Sequence, residues 1–365
     1  MSGNFREKYE QAFKELTDTA EARAFDLGRH ALVILLKALG VTEGDKVGVC
    51  GFTCLSVIEA VKVCEATPVY LDVDEHLCIN PQEILRQPVR SLKAVILQHS
   101  FGIPGHLDEL LNACDKIGAK VIEDCSHSLG CKWGGMPLGK FGEGAVYSFQ
   151  WEKPYTTGQG GMLTVNSPEL FEEVDRAIDA YVLDVPWMFE LKLEFQRRVT
   201  GLFKRNYFAK QNGKKIELKS AFEFYRGYAR FAGELTSRAG LKQLENWPKL
   251  EKLRRENCRI IEEWLVRSGF DLWPRPAKAD VVMLRYPMLA QHKEIIIEKA
   301  HRQGIDLEGW YDSPVHPLDW EDLTKVSYHK GDCQRAESML GRLVHLPTGY
   351  SFRKEDLGRV LSLLY

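Results

Sequence analysis

Lys153 follows an apolar run, Ala145-Val146-Tyr147-Ser148-Phe149, that ends four residues before it. Beyond it come Thr156-Thr157-Gly158-Gln159-Gly160-Gly161 and another run, Met162-Leu163-Thr164-Val165. Upstream, Lys120-Val121-Ile122-Glu123-Asp124 is a short apolar stretch that stops at two carboxylates, as buried strands of parallel sheets do. Open α/β sheets bind ligands at that carboxyl edge. A glycine-rich loop (Gly130, Gly134, Gly135, Gly139, Gly142, Gly144) joins this stretch to the run that starts at Ala145. A carboxylate (Asp124), a hydroxyl (Ser148) and a primary amine (Lys153) thus meet at one sheet edge. An amine so placed can hold an aldehyde as a Schiff base, with an anion nearby to support a protonated partner.

Such a set serves pyridoxal phosphate chemistry, in which an acid partner keeps the pyridine nitrogen protonated and makes the ring an electron sink. The segments Val121-Ile122-Glu123-Asp124-Cys125-Ser126-His127, Phe141-Gly142-Glu143, Tyr147-Ser148-Phe149, Lys153 and Gly158-Gln159-Gly160-Gly161 resemble the DegT/DnrJ/StrS aminotransferases. These are fold-type-I enzymes that mostly aminate nucleotide-linked keto sugars. The resemblance implies that Lys153 is the Schiff-base lysine and general base and that Asp124 is the partner of the pyridine nitrogen. It places His127 near the ring's phenolic oxygen and Ser148 at the cofactor phosphate. Read singly, these residues are a surface lysine, a helix-capping aspartate, a loop histidine and a strand serine; their joint order and spacing carry the inference.

At 365 residues with 44% apolar content, the chain can bury an extensive core. Its 49 Lys+Arg against 51 Asp+Glu give a net charge of -2, so no global field favours nucleic acid or an anionic membrane. Nine cysteines, odd in number and without a Cys-x-x-Cys pair, point to a reducing compartment and give no support to a structural zinc site. The charged start lacks an apolar signal core, and no run approaches a membrane span. A cytoplasmic protein is expected.

Phe5, Tyr9, Phe13 and Leu16 recur at helical spacing, which predicts a surface helix over residues 1–24 able to pack on a partner subunit. Gly28-Arg29-His30 opens the next helix, where backbone amides and the dipole favour a phosphate. The resemblance makes Gly28, Arg29 and His30 the phosphate cradle. Strand and helix then alternate through Asp45–Cys50, Phe52–Val61, Thr67–Asp74, Leu92–Gln98 and Leu107–Ile117, which predicts a mostly parallel, doubly wound sheet. Cys54 stands where the family has an aromatic lying on the cofactor ring. Either Cys54 touches the ring or another residue, such as His99, covers that face. His99, Phe101 and Gly102 match the family's Val-His-x-Tyr/Phe-Gly, so His99 is also a substrate candidate.

Residues 181–225 interleave aromatic and basic residues, including Trp187, Phe189, Phe195, Arg197 and Arg198. An insertion that packs in an oligomer is one reading; a membrane-surface helix and a clamp on an anionic substrate are others. Asn212-Gly213 should divide it by a turn. A helical pattern runs from about Gly233 to Val266, which Pro248 should kink or split. By resemblance it joins a large domain (25–245) to a smaller α+β C-terminal one (246–365). Just upstream, Arg230 stands where the family's Asn-Tyr-Arg reaches a neighbouring active site, with a solvated surface arginine as the alternative. Tyr311-Asp312-Ser313-Pro314-Val315-His316 is similar to the family's Tyr-Pro-x-Pro-Leu-His loop, which makes His316 a substrate candidate.

The resemblance, covering about Phe25 to Leu364, implies a homodimer with shared active sites. It also implies transfer of an amino group from an amino acid, L-glutamate, to a nucleotide-linked keto sugar. A sugar dehydratase of the same family would carry histidine at the lysine position, against Lys153. A non-transaminating cofactor-binding or regulatory relative remains the alternative from another class, although no basic DNA-binding module is present.

Overall fold

The computed structural model describes residues 4–207 and 229–364. A seven-stranded sheet forms its centre: β1 (Glu21–Phe25), β2 (Lys46–Cys50), β3 (Thr67–Leu71), β4 (Ala94–Gln98), β5 (Lys120–Asp124), β6 (Gly144–Ser148) and β7 (Gly161–Val165). In space they run β1-β7-β6-β5-β4-β2-β3. The pairs from β6 to β3 are parallel, and β7 is antiparallel to both β6 and β1. The expected mostly parallel sheet is present, with one strand, β1, that the apolar pattern had not marked. Its alternation Glu-Ala-Arg-Ala-Phe is too short and too charged to stand out from the helices beside it.

Around the sheet lie α1 (Phe5–Thr17), α2 (Gly28–Ala38), α3 (Leu55–Val63), α4 (Leu107–Ile117) and α5 (Pro168–Tyr181), then α6 (Trp187–Tyr207) and α7 (Glu234–Arg267). Helix α2 is buried along one continuous stretch from His30 to Leu36, as an all-round apolar helix must be. The apolar face of α1 packs within its own chain. Tyr9 and Phe13 are fully buried against Phe149 and Tyr147, and the Tyr9 and Tyr155 hydroxyls are 2.6 Å apart. A Cβ at Gly240 of α7 would meet the Tyr9 ring at 2.4 Å, so this glycine lets the two helices close on each other.

Helix α7 continues through Pro248 as one element. Proline removes one backbone donor, but buried Trp247 and Leu250 on either side anchor the turn, so the sequence-based break does not occur. The domain boundary expected at residue 245 falls inside this helix. After α7, two antiparallel strands, Arg285–Leu289 and Leu343–Pro347, and the helices Lys293–Arg302, Gln334–Leu340 and Asp356–Leu364 make up the C-terminal portion. It returns to the sheet edge through Val315–His316, which pairs with Thr53–Cys54 just before α3.

The first half of the basic-aromatic segment is α6, whose inner face docks on the same chain. Glu190 is buried and accepts the amide N–H groups of Leu235 and Thr236 at the start of α7. Arg197 donates to the Thr157 carbonyl and to Thr236 Oγ1. The outer face leaves Trp187 and Phe195 largely exposed, at 70% and 68%. The Asn212-Gly213 turn lies outside the described residues. No helix among the described residues is long and apolar enough to cross a membrane.

Candidate active site

Strand β5 ends at Asp124, in register with Gln98 of β4 on one side and Val146 of β6 on the other. This edge of the sheet opens into a cleft bordered by Asp124, His127, Ser148, Lys153, Cys54 and the start of α2.

The lysine is held by a tight loop. Ser148 closes β6, the Phe149 amide donates to the Gly160 carbonyl, and the Thr157 amide returns to the Phe149 carbonyl, so residues 150–156 are thrown out over the cleft. Lys153 Nζ reaches His127 Nε2 at 3.0 Å. Burial holds the Lys153 amine below its ordinary range, although the charges of Cys54, Asp124 and Glu152 act in the opposite sense. Burial, followed by the Lys153 charge, holds His127 well below the usual imidazole range. Asp124 Oδ1 accepts the Ser126 amide N–H at 3.0 Å, which fixes the carboxylate at the strand end.

Across the cleft, α2 begins at Gly28 with no side-chain cap and no acidic residue in its first turn. A Cβ at Gly28 would meet Ser148 Cβ and the Tyr147 carbonyl oxygen at 3.1 Å, and one at Gly161 would meet the Gly28 nitrogen at 2.4 Å. Two glycines therefore allow the helix start to sit directly on the ends of β6 and β7. The positive end of the helix, a hydroxyl from Ser148 and the Arg29 side chain border the same space, a donor set that suits a phosphate. Arg29 also pairs with Glu59 on α3. Burial pushes Glu59 up to about 7, and the Arg29 charge moderates the shift.

Not every expected residue reaches the cleft. The His30 ring turns back to Asp26, with Nδ1 at 2.5 Å from Oδ1, and accepts the Arg230 amide at 3.4 Å. His99 is 1% exposed and bonds Glu123 Oε2 at 2.9 Å beneath the sheet edge, so its neighbour Gln98 supplies the wall instead. Strand alternation explains the exchange: successive side chains point to opposite faces. Arg230, on a two-residue strand paired with Val182–Leu183, lies outside the cleft of its own chain. His316 stacks on the wall residue Tyr311, with centroids 4.9 Å apart, and burial holds it down to about 4. Of the two candidates for the ring face, Cys54 lines the cleft and His99 does not.

Two supporting residues were given no role by the sequence pattern. Glu123, fully buried, accepts the amides of Gly139, Phe141 and Gly142 as well as His99, and so pins the glycine-rich loop under the cleft. Burial raises this carboxyl, but the bond to His99 and those to the Gly139 and Gly142 amides outweigh it and leave a net lowering. Arg254 on α7 is also buried. It donates to the Pro154 carbonyl at 3.1 Å, the Leu284 carbonyl at 2.7 Å and Thr348 Oγ1 at 2.9 Å. The residue after Lys153 is thereby tied to the C-terminal portion.

A model of the DegT/DnrJ/EryC1/StrS aminotransferase family matches residues 1–365. GDP-perosamine synthase of Escherichia coli O157:H7 is 33% identical over 171 residues, 47% of this chain and 47% of that protein. The match thus spans about half of that relative's length. UDP-N-acetyl-3-dehydro-alpha-D-glucosamine 3-aminotransferase of Acidithiobacillus ferrooxidans is 25% identical over 99% of this chain and 88% of its own. Among solved structures, S. venezuelae DesV in complex with a ketimine intermediate aligns with a TM-score of 0.77 at 23% identity, covering 99% of this chain and 88% of that one. The PLP form of a putative sugar aminotransferase from Streptococcus pneumoniae aligns at 0.77 and 16% identity, covering 100% and 91%. At these identities the structural likeness establishes the shared fold.

Proposed function

We propose that this chain, which belongs to the DegT/DnrJ/EryC1/StrS aminotransferase family, moves an amino group from L-glutamate to the carbonyl carbon of a nucleotide-linked keto sugar. The cofactor is pyridoxal phosphate, whose electron-poor ring, when bound, makes C–H bonds next to nitrogen acidic. The donor set fits it: Lys153 to hold the aldehyde carbon, Asp124 to hold the pyridine nitrogen, and Gly28, Arg29 and Ser148 around the phosphate. His127, 3.0 Å from the lysine, would contact the ring's phenolic oxygen, and Cys54, on the cleft wall, would contact the ring face.

The observation that carries the reading is the 3.0 Å contact between Lys153 and His127 at the end of the strand that presents Asp124. Burial lowers the basicity of this lysine and so favours its neutral amine. That form attacks carbonyls, and it is also the form that accepts a proton at Nζ from a carbon acid and returns it elsewhere. Asp124 acts by charge, preserving a cation opposite its carboxylate.

A cytoplasmic homodimer with shared sites completes the reading. Nine unpaired cysteines support a reducing compartment. The position of Arg230 outside its own cleft and the exposed apolar face of α6 support a partner subunit. Incubating the holoenzyme with L-glutamate should produce 2-oxoglutarate and bleach the visible cofactor band, and a keto sugar should restore the band. Retention of the band with every amino acid tried would leave a cofactor-binding protein without transaminase activity.

A further inference from the structure

A second cluster of metal-ligating side chains stands apart from the cleft residues. Asp74, Glu75 and His76 lie in the loop after β3, and His106 immediately precedes α4. One donor atom each of Asp74, His76 and His106 falls within 4.8 Å of the other two. Asp74 and His76 are buried, at 3% and 4% exposure, and His106 is partly exposed. His76 Nδ1 is 3.2 Å from Asp74 Oδ2, and His106 Nε2 is 3.2 Å from Glu75 Oε1. The two imidazoles meet edge to face, centroids 4.9 Å apart.

The backbone holds these groups in place before any ligand binds. Asp74 Oδ1 accepts the amides of His76 and Cys78 at 2.8 and 3.1 Å, which leaves Oδ2 directed at the His76 ring. A Cβ at Gly105, whose φ is +62°, would meet Cys78 Cβ at 2.7 Å and Asp74 Oδ2 at 3.3 Å. Glycine is therefore what lets the His106 loop close onto the Asp74 loop.

We propose that Asp74, His76 and His106 bind one divalent transition-metal ion of the zinc class, with Glu75 holding the His106 ring. Two imidazoles and a carboxylate form a three-ligand set that such ions favour, leaving one position for water. A 3.2 Å separation between the His76 and Asp74 donor atoms is close to the edge of a tetrahedron with bonds of ~2.0–2.1 Å, about 3.3 Å. The carboxylate at His106 Nε2 supplies the outer partner that metal-bound histidines commonly have, fixing the ring and raising its basicity.

The site also borders a contact with the C-terminal portion. Arg335 reaches Glu75 Oε2 at 3.6 Å, and the Arg335 and Ala336 amides donate to Asp72. Metal binding would stiffen the loop on which that contact rests.

The test is calorimetric titration of EDTA-treated, desalted holoenzyme with zinc chloride, alongside H106A and E75Q. His106 is on the surface, so H106A is expected to keep the wild-type melting temperature in EDTA and an unchanged cofactor spectrum. Wild type should bind one equivalent and melt at higher temperature with zinc. E75Q should bind roughly 10-fold more weakly, the usual scale for an outer partner, and H106A at least ~100-fold more weakly. Cobalt chloride on wild type should give the visible bands of a tetrahedral site, absent in H106A. Absence of stoichiometric zinc binding by wild type, or equal affinity in H106A, overturns the proposal.

Discussion

Nζ of Lys153 lies 3.0 Å from Nε2 of His127, and the Phe101 amide donates to the other ring nitrogen, Nδ1, at 3.4 Å. That second bond assigns the imidazole proton to Nε2, where it points at the lysine. A donor aimed at Nζ calls for the lone pair of a neutral amine. Burial lowers the proton affinity of both groups in the same sense. The arrangement therefore readies an amine for carbonyl chemistry before any cofactor enters.

Asp124→Asn keeps the size of the side chain and removes its charge. The variant should retain bound cofactor while kcat falls by about 10²–10⁴, the range of one proton-transfer contribution. Steady-state rates and the visible spectrum of the same sample check this; an unchanged kcat means that Asp124 is not the partner of the pyridine nitrogen.

Ser148→Ala should raise the cofactor Kd about 10-fold, as loss of one hydrogen bond to a charged group of ~1.5 kcal/mol predicts. Gly28→Ala should weaken binding further, because the new methyl group meets Ser148 Cβ at 3.1 Å. Equilibrium titration of the apoprotein with pyridoxal phosphate measures both. Wild-type affinity in Gly28→Ala would remove the phosphate from the start of α2.

Glu59, raised to about 7 by burial, binds a proton in the folded chain over a range where the unfolded chain does not. Its contribution to stability is therefore fully present below about pH 4.5 and is lost as pH rises through 7. The difference in unfolding free energy between wild type and Glu59→Gln should shift against wild type by on the order of 3 kcal/mol between pH 5 and 8. Urea unfolding at those pH values tests the sign. A difference that does not vary with pH would mean that Glu59 is ionised throughout.

Arg254→Ala strips donors from the Pro154 and Leu284 carbonyls and from Thr348 at once. It should destabilise the chain by about 3 kcal/mol, since the Pro154 carbonyl and Thr348 Oγ1 each lose a buried donor at roughly 1–3 kcal/mol, while the Leu284 carbonyl keeps the Thr348 hydroxyl. Arg254→Lys should recover part of that. Chemical denaturation of both variants provides the check, and a loss below about 0.5 kcal/mol in Arg254→Ala, the scale of an ordinary surface change, would show the clasp to be incidental.

The stretch from Lys120 to Val165 was legible because its chemistry and its structure are written in one contiguous pattern: apolar strand, terminal carboxylate, glycine loop, strand, lysine, glycine turn. Each side chain there is aimed by an element that the same stretch defines. The His30 and His99 side chains stand away from the cleft because the motif fixes a residue's position along the chain but not the face its side chain takes. One ring turned to Asp26 and the other to Glu123. Arg254 sits in Lys252-Leu253-Arg254-Arg255-Glu256, which reads as a solvated helix face. The return of Leu284, Thr348 and Pro154 to that face buries it, contacts across 30, 94 and 100 residues that no local pattern encodes. The α1 helix showed its apolar face plainly, but nothing in Tyr9 or Phe13 tells whether α7 of the same chain or another subunit will cover it.

The central claim is that Lys153 carries the cofactor. Borohydride reduction of the purified holoenzyme, followed by proteolysis and mass spectrometry, locates the trapped phosphopyridoxyl group directly. The account predicts that group on the peptide containing Lys153 and on no other lysine, with Lys153→Ala showing neither the adduct nor the visible band. An adduct on a different lysine, or a reducible visible band persisting in Lys153→Ala, would contradict it.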